Sequence, residues 1–166
     1  MIPTRPSRIL RAAAAALLLG VSVALPAAAQ DAPRAMTIVD LVELPSLSDP
    51  QLSPDGSRVA FVRSEADWEG NRTVRHLWSV GVDGSDELQL TRGEEGESSP
   101  RWSPDGDWIA FLADRSEDGP TQIHLLRTLG GEAMELTDHP TSVSSIQWAP
   151  DGSALYFVAA DEKSEE

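Results

Sequence analysis

Short apolar runs alternate with tight polar turns over most of the chain. Runs of four apolar residues occupy 59–62, 109–112 and 155–158, and each follows a Pro-Asp-Gly triplet closely. Apolar runs of this length between turn residues predict β-strands. In the triplet, proline presets φ, aspartate bonds back to the backbone and glycine accepts positive φ. The prolines of the three triplets are 50 and then 46 residues apart, a spacing typical of propeller blades.

The repeat extends beyond the triplets. Residues 77–80 align with 123–126, and 88–91 align with 134–137, both at an offset of 46. Each unit is predicted to form four short strands, so the fold class is all-β. One four-stranded sheet cannot cover both of its faces, and neighbouring blades must therefore stack. We predict an incomplete β-propeller in 48–166, with two full four-stranded blades and part of a third, and expect the chain to be the front of a longer protein. The blade units are 48–92, 97–138 and the incomplete 143–166.

A short capped helix is predicted before the first blade, at 37–44 in the N-terminal segment 30–47. Thr37 can cap its N-terminus, Asp40 suits its first turn and Pro45 ends it. The apolar residues Ile38 and Leu41, with the adjacent Val42, share one face. We expect this face to pack against the first blade, because so short a helix is not stable alone.

Residues 1–29 have the pattern of a secretory signal peptide. A basic start containing three arginines is followed by the apolar run 12–25, and small residues precede a cleavage site expected between Ala29 and Gln30. The apolar run is shorter than the ~20 residues needed to span a bilayer. The predicted location is periplasmic or extracellular, with no membrane attachment after cleavage. The chain has no cysteine, so neither a lipid-anchored cysteine nor a disulfide is expected.

The chain is acidic, with a formal net charge of −14 that becomes −17 when the three arginines of 1–29 are removed. Such a surface repels nucleic acid. No nucleic-acid partner is therefore expected.

In order and spacing, the repeats resemble the N-terminal propeller of secreted prolyl oligopeptidase family serine peptidases, in the dipeptidyl and acylaminoacyl peptidase branch. The resemblance covers about residues 36–160. It is carried by the capped helix, by the phrases at 48–56 and 99–106, by Trp78 and by the strand end Leu90-Thr91. The resemblance implies a peptide substrate and a C-terminal α/β-hydrolase domain with a Ser-Asp-His triad, whose access the propeller restricts.

No catalytic residue of that family can be assigned here, because the sequence contains no Gly-x-Ser-x-Gly elbow. No cofactor is implied, and the chain alone is expected to be inactive. The alternative is a non-catalytic, protein-binding periplasmic propeller like that of the Tol-Pal system, which uses a similar repeat phrase.

The remaining candidate residues favour structural roles. His76, His124 and His139 have unrelated spacings that make a poor zinc site, and one aspartate per turn does not make a calcium loop. Four tryptophans at repeat positions are expected in core or inter-blade packing. The first unit carries a four-residue insertion, predicted to be a surface loop containing Glu65, Asp67 and Trp68. Trp68 is the residue expected to contact substrate or the hydrolase domain.

Overall fold

Three antiparallel sheets follow one another along the chain. The computed structural model describes residues 34–94, 96–115 and 119–162. The predicted signal peptide, with its cleavage site at Ala29 and Gln30, lies outside these residues. The first sheet contains β1 (Ser46–Leu52), β2 (Arg58–Asp67), β3 (Arg72–Gly81) and β4 (Leu88–Gln89). The second contains β5 (Glu97–Trp102), β6 (Trp108–Ala113), β7 (Gln122–Arg127) and β8 (Met134–Glu135), and the third contains β9 (Val143–Trp148) and β10 (Leu155–Ala159).

Within each sheet the strands lie side by side in chain order. The first strands of neighbouring sheets, β1, β5 and β9, contact one another, so these inner strands converge as in a propeller. The described residues thus form two four-stranded blades and a two-stranded third sheet. The prediction of an all-β, incomplete propeller is confirmed.

Two apolar clusters hold adjacent sheets together. The cluster between the first and second sheets contains Val62, Leu77, Phe111, Ala113 and Leu126. The cluster between the second and third contains Ala110, Leu112, Ile123, Val143 and Ile146. Alternate residues of β6 belong to different clusters, because successive side chains of a strand point to opposite faces. The second sheet is therefore buried on both sides.

Two tryptophans at equivalent positions join neighbouring blades by hydrogen bonds. Trp102 Nε1 donates to the carbonyl of Gln51 at 3.1 Å, and Trp148 Nε1 donates to the carbonyl of Arg101 at 3.0 Å. Their predicted inter-blade packing agrees with these contacts. The other two repeat-aligned tryptophans lie beneath arginines of their own sheets: Trp78 under Arg63 and Trp108 under Arg127.

A bulge interrupts the inner strands β1 and β5 at the same repeat position. Asp49 and Ser99, each followed by proline, adopt positive φ values of 47° and 55°. At each site β1 or β5 carries one more residue than the strand it pairs with. Arg101 Nη1 lies 3.0 Å from the Asp49 carboxylate, so an ion pair ties the two bulges together.

The helix α1 (Ile38–Glu43) forms with the predicted capping box. The Thr37 hydroxyl accepts from the Asp40 amide, and the Asp40 carboxylate accepts from the Thr37 amide. The helix lies against the first blade as expected, but its apolar face is not buried there. The helix contacts β2 but buries none of its residues, and Ile38 is 83% exposed. The spacing of apolar residues identifies this face of the helix, but it does not identify the surface that the face packs against.

The inserted segment of the first blade is a hairpin and not the predicted loop. Strands β2 and β3 pair continuously from Arg58↔Gly81 to Asp67↔Arg72. Glu65 and Asp67 are thus strand residues, and only 68–71 form the turn. Asn71, with a φ of 49°, supplies the left-handed conformation that closes it. None of the described residues forms a helix long and apolar enough to cross a membrane.

Candidate functional site

The strand connections divide the described structure into two rims. The turn rim carries the three Pro-Asp-Gly turns and the connections 82–87 and 128–133. The hairpin rim carries the β2–β3 turn at 68–71 and the connections between sheets at 91–96 and 137–142. Because consecutive strands are antiparallel, these two groups of connections lie at opposite ends of the strands.

The first turn of the turn rim is held by its aspartate. Asp55 accepts from the hydroxyl of Ser53 at 2.6 Å and from the amide of Ser57 at 3.0 Å. These hydrogen bonds, that from Ser53 first, lower the pKa of Asp55 to about 2. Asp105 makes the same contacts in the second turn, and its pKa is lowered for the same reason. Both carboxylates therefore stay ionised well below neutral pH.

The third turn lacks part of this arrangement. Ala149 replaces the serine, so among the described residues Asp151 accepts from the amide and hydroxyl of Ser153 alone. In the first two turns the serine oxygen also accepts from the first amide of the next strand, at 3.0 Å from Arg58 and at 2.9 Å from Trp108. The third turn therefore makes fewer of the bonds that close the first two.

On the hairpin rim, Trp68 projects at the tip of the β2–β3 hairpin with 60% of its surface exposed. The acidic residues beside it are held by neighbours within the hairpin. Glu65 pairs with Arg63 at 2.5 Å. Asp67 accepts from the Gly70 amide at 3.0 Å and from Arg72 at 3.3 Å, and the Gly70 bond is the main cause of its lowered pKa. Trp68 thus stands as an exposed aromatic on a hairpin stiffened by ion pairs.

A buried carboxylate lies at the junction of the first two blades on the same rim. Glu97, the first residue of β5, is 1% exposed. It accepts from the Gly93 amide at 2.8 Å and from the Thr91 hydroxyl at 2.9 Å, and it contacts His76 Nδ1 at 3.0 Å. Thr91 in turn accepts from the Leu77 amide at 2.9 Å. One side chain thus links β3, the connection between blades and β5.

The junction of the second and third blades uses a neutral side chain instead. Gln122, which aligns with His76 in the repeat, accepts from the Thr137 hydroxyl at 2.7 Å and from the His139 amide at 3.0 Å. Its amide group donates to the carbonyl of His139 at 2.8 Å. The Glu97 network was missed from the sequence. The sequence carried no clear signal for it, because Glu97 follows Glu94 and Glu95 and begins a mostly polar strand.

His124 is buried in β7 without a hydrogen-bonding partner for either ring nitrogen among the described residues. Its side chain is 1% exposed and stacks on Phe111, with ring centroids 5.6 Å apart. Burial, and then the charge of Arg115, lowers the pKa of His124, while Glu135 at 4.0 Å from Nε2 opposes the shift. The ring is a neutral packing element, as its alignment with Trp78 predicted.

We expect His124→Phe to raise the free energy of unfolding at pH 7.5 by about 1–3 kcal/mol, because it removes unsatisfied buried polar atoms. Its pH dependence should also change. The folded pKa lies below the ordinary value of about 6.5, so the unfolded state binds more protons as pH falls through that value. The parent protein therefore loses stability below about pH 6.5. Denaturant unfolding at pH 7.5 and 5.5 measures both effects.

The control variant is His124→Gln, which cannot titrate but remains polar. It should remove this part of the pH dependence without the gain in stability. If both variants lost as much stability as the parent protein between pH 7.5 and pH 5.5, the acid sensitivity would come from groups other than His124.

The described residues contain no cluster of three or more histidine, cysteine, aspartate or glutamate side chains placed to hold a metal ion. The chemistry that the geometry supports is packing and binding through exposed aromatic, apolar and acidic groups.

Comparisons with known proteins agree with this architecture. The family model described as TolB beta propeller domain matches residues 38–166. The chain is 38% identical over 98 residues to the uncharacterized peptidase YuxL of Bacillus subtilis, covering 59% of this chain and 15% of that protein. It is 33% identical over 109 residues to dipeptidyl-peptidase 5 of Porphyromonas gingivalis, covering 66% of this chain and 16% of that protein. The chain thus spans about a sixth of the length of these curated relatives.

Two solved structures have the same fold. The acylaminoacyl peptidase of Pyrococcus horikoshii superposes with a TM-score of 0.62 at 25% identity, over 76% of this chain and 19% of that one. A TolB structure from Agrobacterium tumefaciens, described as putative, superposes with a TM-score of 0.54 at 31% identity, over 66% of this chain and 37% of that one. The resemblance to the propellers of prolyl oligopeptidase family peptidases is thereby confirmed, and the chain belongs to the TolB β-propeller domain family.

Proposed function

We propose that this chain is the propeller portion of an exported serine peptidase that hydrolyses oligopeptides. The propeller packs on a C-terminal α/β-hydrolase domain and restricts that domain to unfolded or short substrates. The relatives support this proposal, because two curated proteins that match most of the described chain are peptidases several times its length. Export follows from the signal pattern of 1–29, with cleavage between Ala29 and Gln30.

The exposed apolar surface around α1 is the structural observation that carries the packing role. Its large apolar side chains are 49–83% exposed. Contiguous apolar surface on a soluble protein marks an interaction site. We define this surface, the helix patch, by its seven members: Met36, Ile38, Val39, Leu41, Val42, Leu44 and Leu47. In the proposed protein, the helix patch is covered by the hydrolase domain.

Activity-based labelling tests the peptidase assignment. The full-length gene product, with the gene read past the codon for Glu166, is treated with a fluorophosphonate probe and assayed with blocked oligopeptides and with a folded protein substrate. Serine labelling together with cleavage of peptides but not of the folded protein is expected. A product that neither labels nor cleaves, and that consists of propeller blades alone, would replace this proposal with the alternative, a protein-binding propeller like TolB.

Leu41→Asp tests the role of the helix patch. In the full-length protein it should lower the free energy of unfolding by about 2 kcal/mol, because a leucine buried at a domain interface contributes about that much. The control Val82→Asp changes a residue that is also about 60% exposed, but on the turn rim. It should change stability by less than about 0.5 kcal/mol. Differential scanning fluorimetry with denaturant titration compares the two, and equal effects would show that the helix patch is open surface.

A further inference from the structure

A cavity of about 590 Å³ opens between the first and second sheets on the turn rim. Its volume lies within the range of about 300–1,000 Å³ that small-ligand and side-chain pockets occupy. It lies between two complete blades, so its walls do not depend on the third sheet. The cavity is on the opposite rim from Trp68 and the Glu97 network.

The floor of the cavity is apolar. Ile109 is fully buried there, and Leu90 and the ring of Trp102 lie beside it. Two leucines stand at the mouth with much of their surface in solvent: Leu88 is 52% exposed and Leu129 is 93% exposed. Such a floor favours an apolar side chain, because filling it removes apolar surface from water on both partners.

The charged groups that line the cavity are mainly carboxylates. Among the described lining residues, Asp55, Asp86, Glu87 and Asp105 accompany one cation, Arg58. A second arginine, Arg63, lies outside the lining with its Nη1 3.7 Å from the Glu87 carboxylate. Arg58 is held in place, since its Nη2 donates to the Ser79 hydroxyl at 2.9 Å and to the Asp86 carbonyl at 2.8 Å. The turn bonds of Asp55 and Asp105 keep both carboxylates ionised, as described above. The local potential is therefore negative, and it reinforces the net charge of the chain.

We propose that this inter-blade cavity binds a peptide segment that carries an apolar side chain flanked by lysine or arginine. The apolar side chain fills the floor, and the flanking cations meet the carboxylates at the mouth. The negative charge of the cavity favours a cationic peptide over an acidic one. A second copy of this chain is disfavoured, because it is itself acidic and its helix patch is interrupted by Asp40 and bordered by Glu43. The proposal concerns binding alone and does not rest on peptidase activity.

Isothermal titration with short blocked peptides tests this site on the intact protein. The protein is first treated with an organophosphorus serine reagent, so that any catalytic serine is blocked and the peptides are not consumed. The probe is Ac-Lys-Leu-Lys-NH₂, with Ac-Lys-Gly-Lys-NH₂ and Ac-Glu-Leu-Glu-NH₂ as comparisons. Saturable binding of the first peptide, weakened by added salt, and much weaker binding of the other two are expected.

Variants locate the binding. Neutralising two lining carboxylates in Asp86→Asn/Glu87→Gln should weaken the affinity about fivefold, the effect of removing two partly exposed charge pairs. Asparagine also suits the positive φ of 51° at position 86. The matched control Glu69→Gln/Glu94→Gln removes two exposed charges on the hairpin rim and should leave the affinity unchanged. Leu129→Lys should weaken binding about tenfold, because it places a like charge at the mouth. The control Leu136→Lys changes an exposed leucine that does not line the cavity and should leave the affinity unchanged.

Several results would overturn the proposal. Equal affinity for the glycine peptide would exclude the apolar floor, and equal or better affinity for the acidic peptide would assign recognition to Arg58 instead. Absence of saturable binding, or equal effects of the cavity variants and their controls, would exclude the cavity as the site. The peptide series uses the unaltered protein, so the test stands even if Leu129→Lys does not fold.

Discussion

Phe111→Ala should lower the free energy of unfolding by about 3–5 kcal/mol, the usual cost of truncating a fully buried phenylalanine. Phe111 is 0% exposed and belongs, with Val62 and Leu77, to the cluster that joins the first two blades. Its ring also stacks on His124. The truncation would leave a void between two sheets that are fixed by their own strand pairing, so the site cannot collapse readily around it.

Denaturant unfolding followed by circular dichroism measures the effect. The control is Trp68→Ala, which removes a larger aromatic ring that is 60% exposed at the hairpin tip. Its effect on stability should stay within about 0.5 kcal/mol. If the Phe111 variant were as mild as the Trp68 variant, the inter-blade cluster would not be a main source of stability.

Glu97→Leu should also be costly, by about 3–5 kcal/mol, the range for removing one partner from a buried charged network. The leucine cannot accept hydrogen bonds, so the Gly93 amide and the Thr91 hydroxyl would lose their acceptors and His76 would lose its contact. Each buried donor left unpaired costs about 1–3 kcal/mol. The lost hydrogen bonds are those that hold the connection between the first two blades.

Glu97→Gln separates hydrogen bonding from charge. The amide keeps one acceptor oxygen in a side chain of the same size, so its cost should be clearly below that of Glu97→Leu. Hydrogen exchange of the amides in 90–96 should rise in the leucine variant more than exchange in 136–142, where Gln122 serves the second junction. Equal stability of the two variants would show that the hydrogen bonds of Glu97 are not what holds this junction.

The architecture was predictable because the same turn residues and apolar strands recur in each unit of the repeat. The Pro-Asp-Gly turns recur with their flanking apolar runs, and the offset of 46 aligns whole strands such as those around Leu77 and Ile123. Local signals also held for the helix start, since a capping box needs only Thr37 and Asp40 three residues apart. Such features depend only on residues that are close together along the chain, so a single sequence is enough to predict them.

Features that depend on contacts between blades were not predictable. Apolar periodicity marked Ile38 and Leu41 as one face, but a pattern cannot name the surface that covers it, and the first blade does not. The insertion looked like a loop because its charged residues hide the strand alternation through Glu65 and Asp67. The site was harder still. Glu97 meets His76 and Thr91 only after the blades stack, and the cavity exists only between two sheets.

The bulges of the inner strands protect the sheets against unwanted strand addition. Pro50 and Pro100 have no N–H to offer, and the positive φ of the preceding Asp49 and Ser99 bends the exposed edge away from a regular ladder. In β9 no proline occupies the corresponding stretch, and its serines retain their amide donors. The pairing of β9 with β10 also shifts register, at Ser144, but this irregularity removes no amide donor. Edge-to-edge polymerisation, if the chain is overproduced, should therefore begin at the third sheet, whose first strand keeps all its N–H groups.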